Sequence, residues 1–328
     1  MPSYRPLVSN PHLLTILGNF WPRKLDMRPY PVESRLYRTE PDVQVLVQTQ
    51  RPLGTPRGEL ILVHGLEGSA DAGYMLTMAK AGLDAGYVVN RFNIRTCGGT
   101  EHLCNTLYHS GLTVDVRMLL QQFRDEGRPP AHLVGYSLGG NLVLKLAGEL
   151  GGDAPPLMAS VCAISTPIDL AACARRLAQP GNRVYERRFL KRMRQRVAAT
   201  GRFTFGEIQH AGSIYEFDDR FTGPSFGFRG ADHYYETQSS RQFLELIRVP
   251  ALLIQARDDI FIPFEVYEHP SLHSNPYVRL YVTEHGGHLG FLSRTRPRFW
   301  ADQAVLEWIE SAGASPEMET IDRRSSTA

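Results

Sequence analysis

The sequence predicts an α/β fold: a mostly parallel central sheet flanked by helices and interrupted by one inserted segment. Three observations carry the prediction. Short apolar runs bounded by Gly, Pro or polar residues alternate with longer stretches of helical period, the signature of successive βα units. The runs LILVHG, HLVGYS and ALLIQA are apolar throughout, as strands covered on both faces should be. The alternation then breaks once, between residues 167 and 238.

Taken in order, strands are expected at 43–47, 60–64, 88–92, 132–135, 159–164, 251–255 and 278–282, with helices at 74–85, 113–123, 140–150 and 299–309. At 328 residues the chain holds about two domains' worth of sequence at roughly 150 residues each, and it is read as a single domain over 1–328 carrying an insertion. The insertion, 167–238, begins helical (LAACARRLA, VYERRFLKRMRQRVAA) and continues rich in Gly, Asp and aromatics, which suggests a cap between two core strands. Residues 183–235 hold 11 of the 32 aromatic side chains, so the cap has either an apolar underside lining a pocket or an aromatic core of its own. Residues 312–328 are small, polar and aperiodic and are expected to form a flexible tail.

Composition narrows the function classes. Hydrophobic residues at 42% and charged residues at 21% exclude wholesale disorder. Lys and Arg (36) nearly balance Asp and Glu (34), so there is no global field for nucleic acid. Four cysteines without a CxxC pair point to a reducing compartment. The N-terminal stretch lacks the pattern of a secretory signal, and no apolar run approaches about 18 residues, so the expectation is a cytoplasmic protein. LLTILGNFW is read as a buried segment, with transient contact with a membrane surface as the alternative. Arg183, Arg187, Arg188, Lys191, Arg192, Arg194 and Arg196 form a basic stretch, read as a solvated helix face or as an attractor of phosphate headgroups or acidic substrates. No HExxH, paired Cys/His spacing, GxGxxG after a strand or GxxxxGK[ST] is present, so neither a metal nor a cofactor is expected.

The strongest chemical signal is Gly135-Tyr136-Ser137-Leu138-Gly139, a GxSxG sequence directly after an apolar strand and before a helical pattern. That is the setting of a nucleophile elbow, a turn so sharp that the serine hydroxyl projects above the sheet. A serine nucleophile needs a general base and a group to orient it, and where the serine sits on a strand-to-helix elbow these follow it in the chain order Ser, Asp, His. ALLIQARDDIFIP offers Asp258 and Asp259 just past one strand, with Asp259 preferred for its spacing to Ile262-Pro263. YVTEHGGHLGF offers His285 and His288 past the next, with His288 preferred because its glycines permit close approach. The N–H groups that would hold a tetrahedral oxyanion are those of Leu138, after the nucleophile, and Leu66, in His64-Gly65-Leu66-Glu67-Gly68.

With these pieces assembled the chain resembles the α/β hydrolases, and more narrowly the YheT-like family of bacterial hydrolases and their eukaryotic lipase and ester-synthase relatives. The matching segments run nearly end to end: Asn10-Pro11-His12-Leu13, HGLEGS, NIRTCGGT, YHSG, GYSLGGN, EFDDRFTGPSFGF with ADHYY, IRVPALLIQARDD and GGHLGF. The resemblance implies Ser137, Asp259 and His288 as the triad. It also implies hydrolysis of carboxylic esters, short- to medium-chain acyl esters or lipids, through an acyl-enzyme. Acyl transfer to an alcohol uses the same intermediate, and a non-catalytic scaffold would not require all three triad residues. Two positions depart from the family's usual NxRGCGG and HLQT: Thr96 stands for a glycine and Leu14 for the glutamine.

Overall fold

The computed structural model describes residues 1–313, so most of the expected tail lies outside the described residues. In chain order the main elements are α1 (Pro11–Phe20), β1 (Glu33–Glu40), β2 (Val43–Gln50), β3 (Gly58–Val63), α2 (Gly73–Asp84), β4 (Tyr87–Phe92), α3 (Val114–Asp125), β5 (Ala131–Tyr136), α4 (Leu138–Leu150) and β6 (Met158–Ile164). The insertion follows, with α5 (Leu170–Leu177), α6 (Arg183–Ala199), the single turns α7 (Phe205–Ile208), α8 (Ile214–Phe217) and α9 (Gly223–Ser225), and α10 (Ala231–Gln238). The chain then returns through β7 (Ala251–Ala256), α11 (Ser271–Ser274), β8 (Val278–Thr283) and α12 (Trp300–Gly313).

The eight strands form one sheet in the order β1-β2-β4-β3-β5-β6-β7-β8. β2 runs antiparallel to β1 and β4, and every other pairing is parallel. One face is covered by α3 and α4 through Val116, Leu119, Leu142 and Leu146. The other carries α2 and α12 through Met75, Met78, Trp300 and Val305. The central strands are therefore sealed from water on both sides, which is why their sequences read as unbroken apolar runs.

Outside the insertion, and besides the single turn α11, two elements have no counterpart among the expected ones. β1, ESRLYRTE, buries only Tyr37 and Thr39, and an edge strand so polar shows no apolar alternation. α1 starts with a capping signal visible in retrospect: the Asn10 side chain accepts from the Leu13 N–H at 3.0 Å, and Pro11 occupies the first helical position. The LLTILGNFW segment is half buried, contrary to its reading as a buried one, because a helix on the rim presents one stripe to the body and one to solvent: Leu14, Thr15 and Gly18 face inward, while Leu13, Ile16 and Phe20 are exposed. Among the described residues no helix is long and apolar enough to cross a membrane.

Candidate active site

Ser137 sits between β5 and α4 with φ 52° and ψ −118°, a region that side-chain-bearing residues rarely adopt and that costs of order 1–3 kcal/mol. The flanking glycines explain how the turn is made. A Cβ on Gly135 would collide with the Gly139 carbonyl, and one on Gly139 with the carbonyls of Val63 and His64 at the end of β3. The Ser137 Oγ lies 3.0 Å from His288 Nε2. His288 Nδ1 in turn lies 3.0 Å from Asp259 Oδ2. Asp259 is buried, and its Oδ1 also accepts from the N–H groups of Phe261 and Ile262 at 2.9 and 3.2 Å, which fixes the carboxylate independently of the histidine. With Nδ1–H donating to Asp259, Nε2 is left free to accept from the serine.

The neighbouring pair is wired separately. Asp258 Oδ2 lies 3.0 Å from His285 Nδ1, and Oδ1 accepts from the Gly287 N–H at 2.9 Å. Two acids and two histidines that sequence spacing could only rank thus fall into two distinct partnerships, and Asp258 ties down the loop that carries His288.

The loop after β3 abuts the serine: a Cβ on Gly65 would lie 3.1 Å from Ser137 Cβ. The N–H groups of Leu66 and Leu138 donate to no protein acceptor among the described residues. Burial pushes the His64 imidazole down to about 4, so it is neutral, with Nδ1–H donating to Gly65 O at 2.8 Å and Nε2 accepting from the Ile94 N–H at 3.1 Å. Glu67 holds φ 53°. Its N–H donates to the Tyr108 hydroxyl at 3.1 Å and that hydroxyl donates back to Glu67 Oε1 at 3.0 Å.

Several contributors escaped the sequence reading. Arg196, on α6, donates Nε to Glu67 Oε1 at 2.9 Å and Nη1 to Thr96 Oγ1 at 2.9 Å, and its guanidinium stacks 4.4 Å from the centre of the Tyr108 ring. Burial opposes a charge there, but Glu67 outweighs it and raises the Arg196 guanidinium above its ordinary value. Thr96 is held in this network by its side chain. Its φ of 62° is glycine-like, and its hydroxyl supplies the acceptor that glycine lacks. Thr15 of α1 accepts from the His288 N–H at 2.9 Å, and α1 packs so tightly on the histidine loop that a Cβ on Gly287 would sit 2.5 Å from the Pro11 carbonyl oxygen.

Two chambers meet at Ser137, sharing Leu66, Ser137, Phe189, Phe261 and His288. The inner one, about 100 Å³, is walled mainly by Leu138, Leu170, Ala174, Leu177, Met193 and Ile214, with Asp218 and Tyr235 among its polar lining. Burial pushes the Asp218 carboxyl up to about 6 although the Tyr235 hydroxyl donates to it at 2.7 Å. The outer chamber, about 390 Å³, lies between α1, the loop after β3 and α6. The insertion's aromatics serve both alternatives: Phe189, Tyr234 and Tyr235 line the inner chamber, whereas Phe203, Phe217, Phe221 and Phe226 pack into a second apolar cluster, which Phe189 also touches. Among the described residues no group of three or more His, Cys, Asp or Glu side chains is placed to hold a metal ion.

Residues 59–295 match the family described as alpha/beta hydrolase fold, and the chain belongs to that family. It is 31% identical over 312 residues to "Putative esterase YheT" of Escherichia coli (strain K12), an alignment covering 92% of this chain and 90% of that one. It is 30% identical over 264 residues to the mouse protein named Phospholipase ABHD3, covering 78% of this chain but 64% of that protein's length. Identity is 26% over 312 residues to the Saccharomyces cerevisiae protein named Medium-chain fatty acid ethyl ester synthase/esterase 2, covering 83% and 65%. Among solved structures, the Pyrococcus furiosus esterase Pf2001 superposes with a TM-score of 0.59 at 18% identity over 95% of this chain and 99% of that one, which speaks to the fold.

Proposed function

We propose that the protein is a serine hydrolase of carboxylic esters, with Ser137, His288 and Asp259 as its triad and residues 167–238 as a cap. The observation that carries the reading is the hydrogen-bonded chain from Ser137 Oγ through His288 to the buried Asp259. Ser137 Oγ attacks the acyl carbonyl carbon while His288 Nε2 takes its proton, and the oxyanion of the tetrahedral intermediate is held by the N–H groups of Leu66 and Leu138. His288 then gives the proton to the departing alcohol as the C–O bond breaks, leaving an acyl group on Ser137. Water enters, deprotonated by the same imidazole, and the acid leaves as the proton returns to serine. Asp259 holds the imidazole in the tautomer that both halves require. The esterase and phospholipase names of the relatives support this class of substrate. Release of the acyl group to an alcohol in place of water is the second reading, favoured by the name of the yeast relative.

The inner chamber suits the acyl chain, because its walls are mainly apolar and it opens at the serine. Each buried CH₂ contributes roughly 0.8 kcal/mol, so kcat/KM for p-nitrophenyl esters is expected to rise by about one to two orders of magnitude from acetyl to medium chains. Running the series with and without ethanol identifies the acceptor by whether acid or ethyl ester forms. A flat or falling series would remove the acyl-pocket assignment.

Arg196 acts as a positioning residue: through Glu67 it holds the loop that presents the Leu66 N–H. Arg196→Met is expected to lower kcat roughly 100-fold with KM within about twofold, the size of a lost oxyanion donor, and Arg196→Lys to recover part of the rate. A purely structural role would instead show as a reduced fraction of active enzyme, visible by active-site titration, with normal turnover per titrated site.

A further inference from the structure

We propose that the rim formed by α1 and α6 docks the protein on an anionic lipid bilayer, with the outer chamber opening toward the membrane. Two stripes lie side by side there. On α1, Leu13, Ile16 and Phe20 recur at helical spacing and are 49, 42 and 60% exposed. On α6, Val184, which is 75% exposed, heads a stripe that continues through Arg187, Arg188 and Lys191, all exposed. The stripes are locked together: His12 Nδ1 lies 3.1 Å from the Tyr185 hydroxyl, and the Arg188 guanidinium sits 5.3 Å from the centre of the Phe20 ring.

The charge pattern identifies the occupant. The only acid on α6, Glu186, is turned inward, where it accepts from the Ile214 N–H at 3.1 Å. Among the described residues, Arg183, Arg187, Arg188, Lys191 and Arg192 have no carboxylate within ion-pair distance. A helix face that is merely solvated has no reason to stand beside an exposed apolar stripe. Nucleic acid would use the cations but not Leu13, Ile16, Phe20 and Val184. A bilayer with anionic headgroups uses both, the cations at the phosphate level and the apolar side chains at the acyl boundary. Ile16, Phe20, Arg188 and Arg192 also line the outer chamber, so the docked surface is the one through which a lipid ester would reach Ser137.

Binding is measured by cosedimentation of the Ser137→Ala protein with vesicles, which separates docking from hydrolysis. The expected result is at least tenfold stronger partition onto vesicles of phosphatidylcholine with 30% phosphatidylglycerol than onto phosphatidylcholine alone, weakened by 0.5 M NaCl. Leu13→Ser with Val184→Ser, and separately Arg187→Glu with Lys191→Glu, should each reduce that partition at least tenfold. In the wild-type background both pairs should leave turnover of soluble p-nitrophenyl butyrate within twofold. Equal partition onto both vesicle types, no partition onto either, tighter binding to a 20-base-pair DNA duplex than to vesicles, or no effect of either pair would overturn the proposal. Vesicle binding by a wild-type protein that cleaves no ester would retain the docking surface and discard the hydrolase reading.

Discussion

Ser137→Ala is expected to abolish ester hydrolysis, lowering kcat by about 10⁴- to 10⁶-fold, because in the proposed mechanism its hydroxyl, 3.0 Å from His288 Nε2, accepts the acyl group. A fluorophosphonate probe should label the wild-type protein and leave the variant unlabelled. Alanine keeps the strained backbone of the elbow, so its melting temperature should match wild type. Ser137→Gly should be equally inactive but more stable, since glycine adopts φ 52° without the Cβ penalty. Equal labelling of wild type and Ser137→Ala would place the nucleophile elsewhere.

The second large effect concerns the acids. Asp259→Asn keeps shape but offers an amide where the His288 Nδ1–H must donate, favouring the wrong tautomer, and is expected to lower kcat by about 10³- to 10⁴-fold. Asp258→Asn loosens the contacts to His285 and Gly287 and should cost only a few-fold, because neither contact reaches the serine. Steady-state kinetics on one soluble ester ranks the two. The reverse order would identify Asp258 as the orienting acid.

What could be read from the chain, and what could not, follows the range of the interactions involved. Seven strands and four helices were legible because the helices carry a helical period and the strands are short apolar runs bounded by breakers, and the elbow was legible because its glycines, serine and flanking strand are contiguous. Asp259 and His288 could be proposed because each follows a strand end, but their pairing with each other, and of Asp258 with His285, depends on how two loops meet. Glu67 and Arg196 are 129 residues apart, and Thr15 and His288 are 273 apart. Nothing local marks such partners. Arg196 in particular was one cation among seven in a basic run, and only burial against Glu67 distinguishes it from its solvated neighbours. β1 was missed for a different reason: its order comes from main-chain pairing with β2, which leaves little imprint on side-chain polarity.

The Arg196–Glu67 contact also bears on how such an enzyme can diversify. A segment that only roofs a pocket is an interchangeable part: a recombinant carrying another roof would gain a new preference and keep its turnover. Here Arg196 of the insertion also pairs with Glu67 in the loop after β3, so a transplanted insertion lacking a cation at that position would leave Glu67 buried without a counterion and the loop without its anchor. Substrate choice and chemical competence are then inherited together, and successful chimaeras should be those that exchange residues 64–68 and 167–238 as one unit.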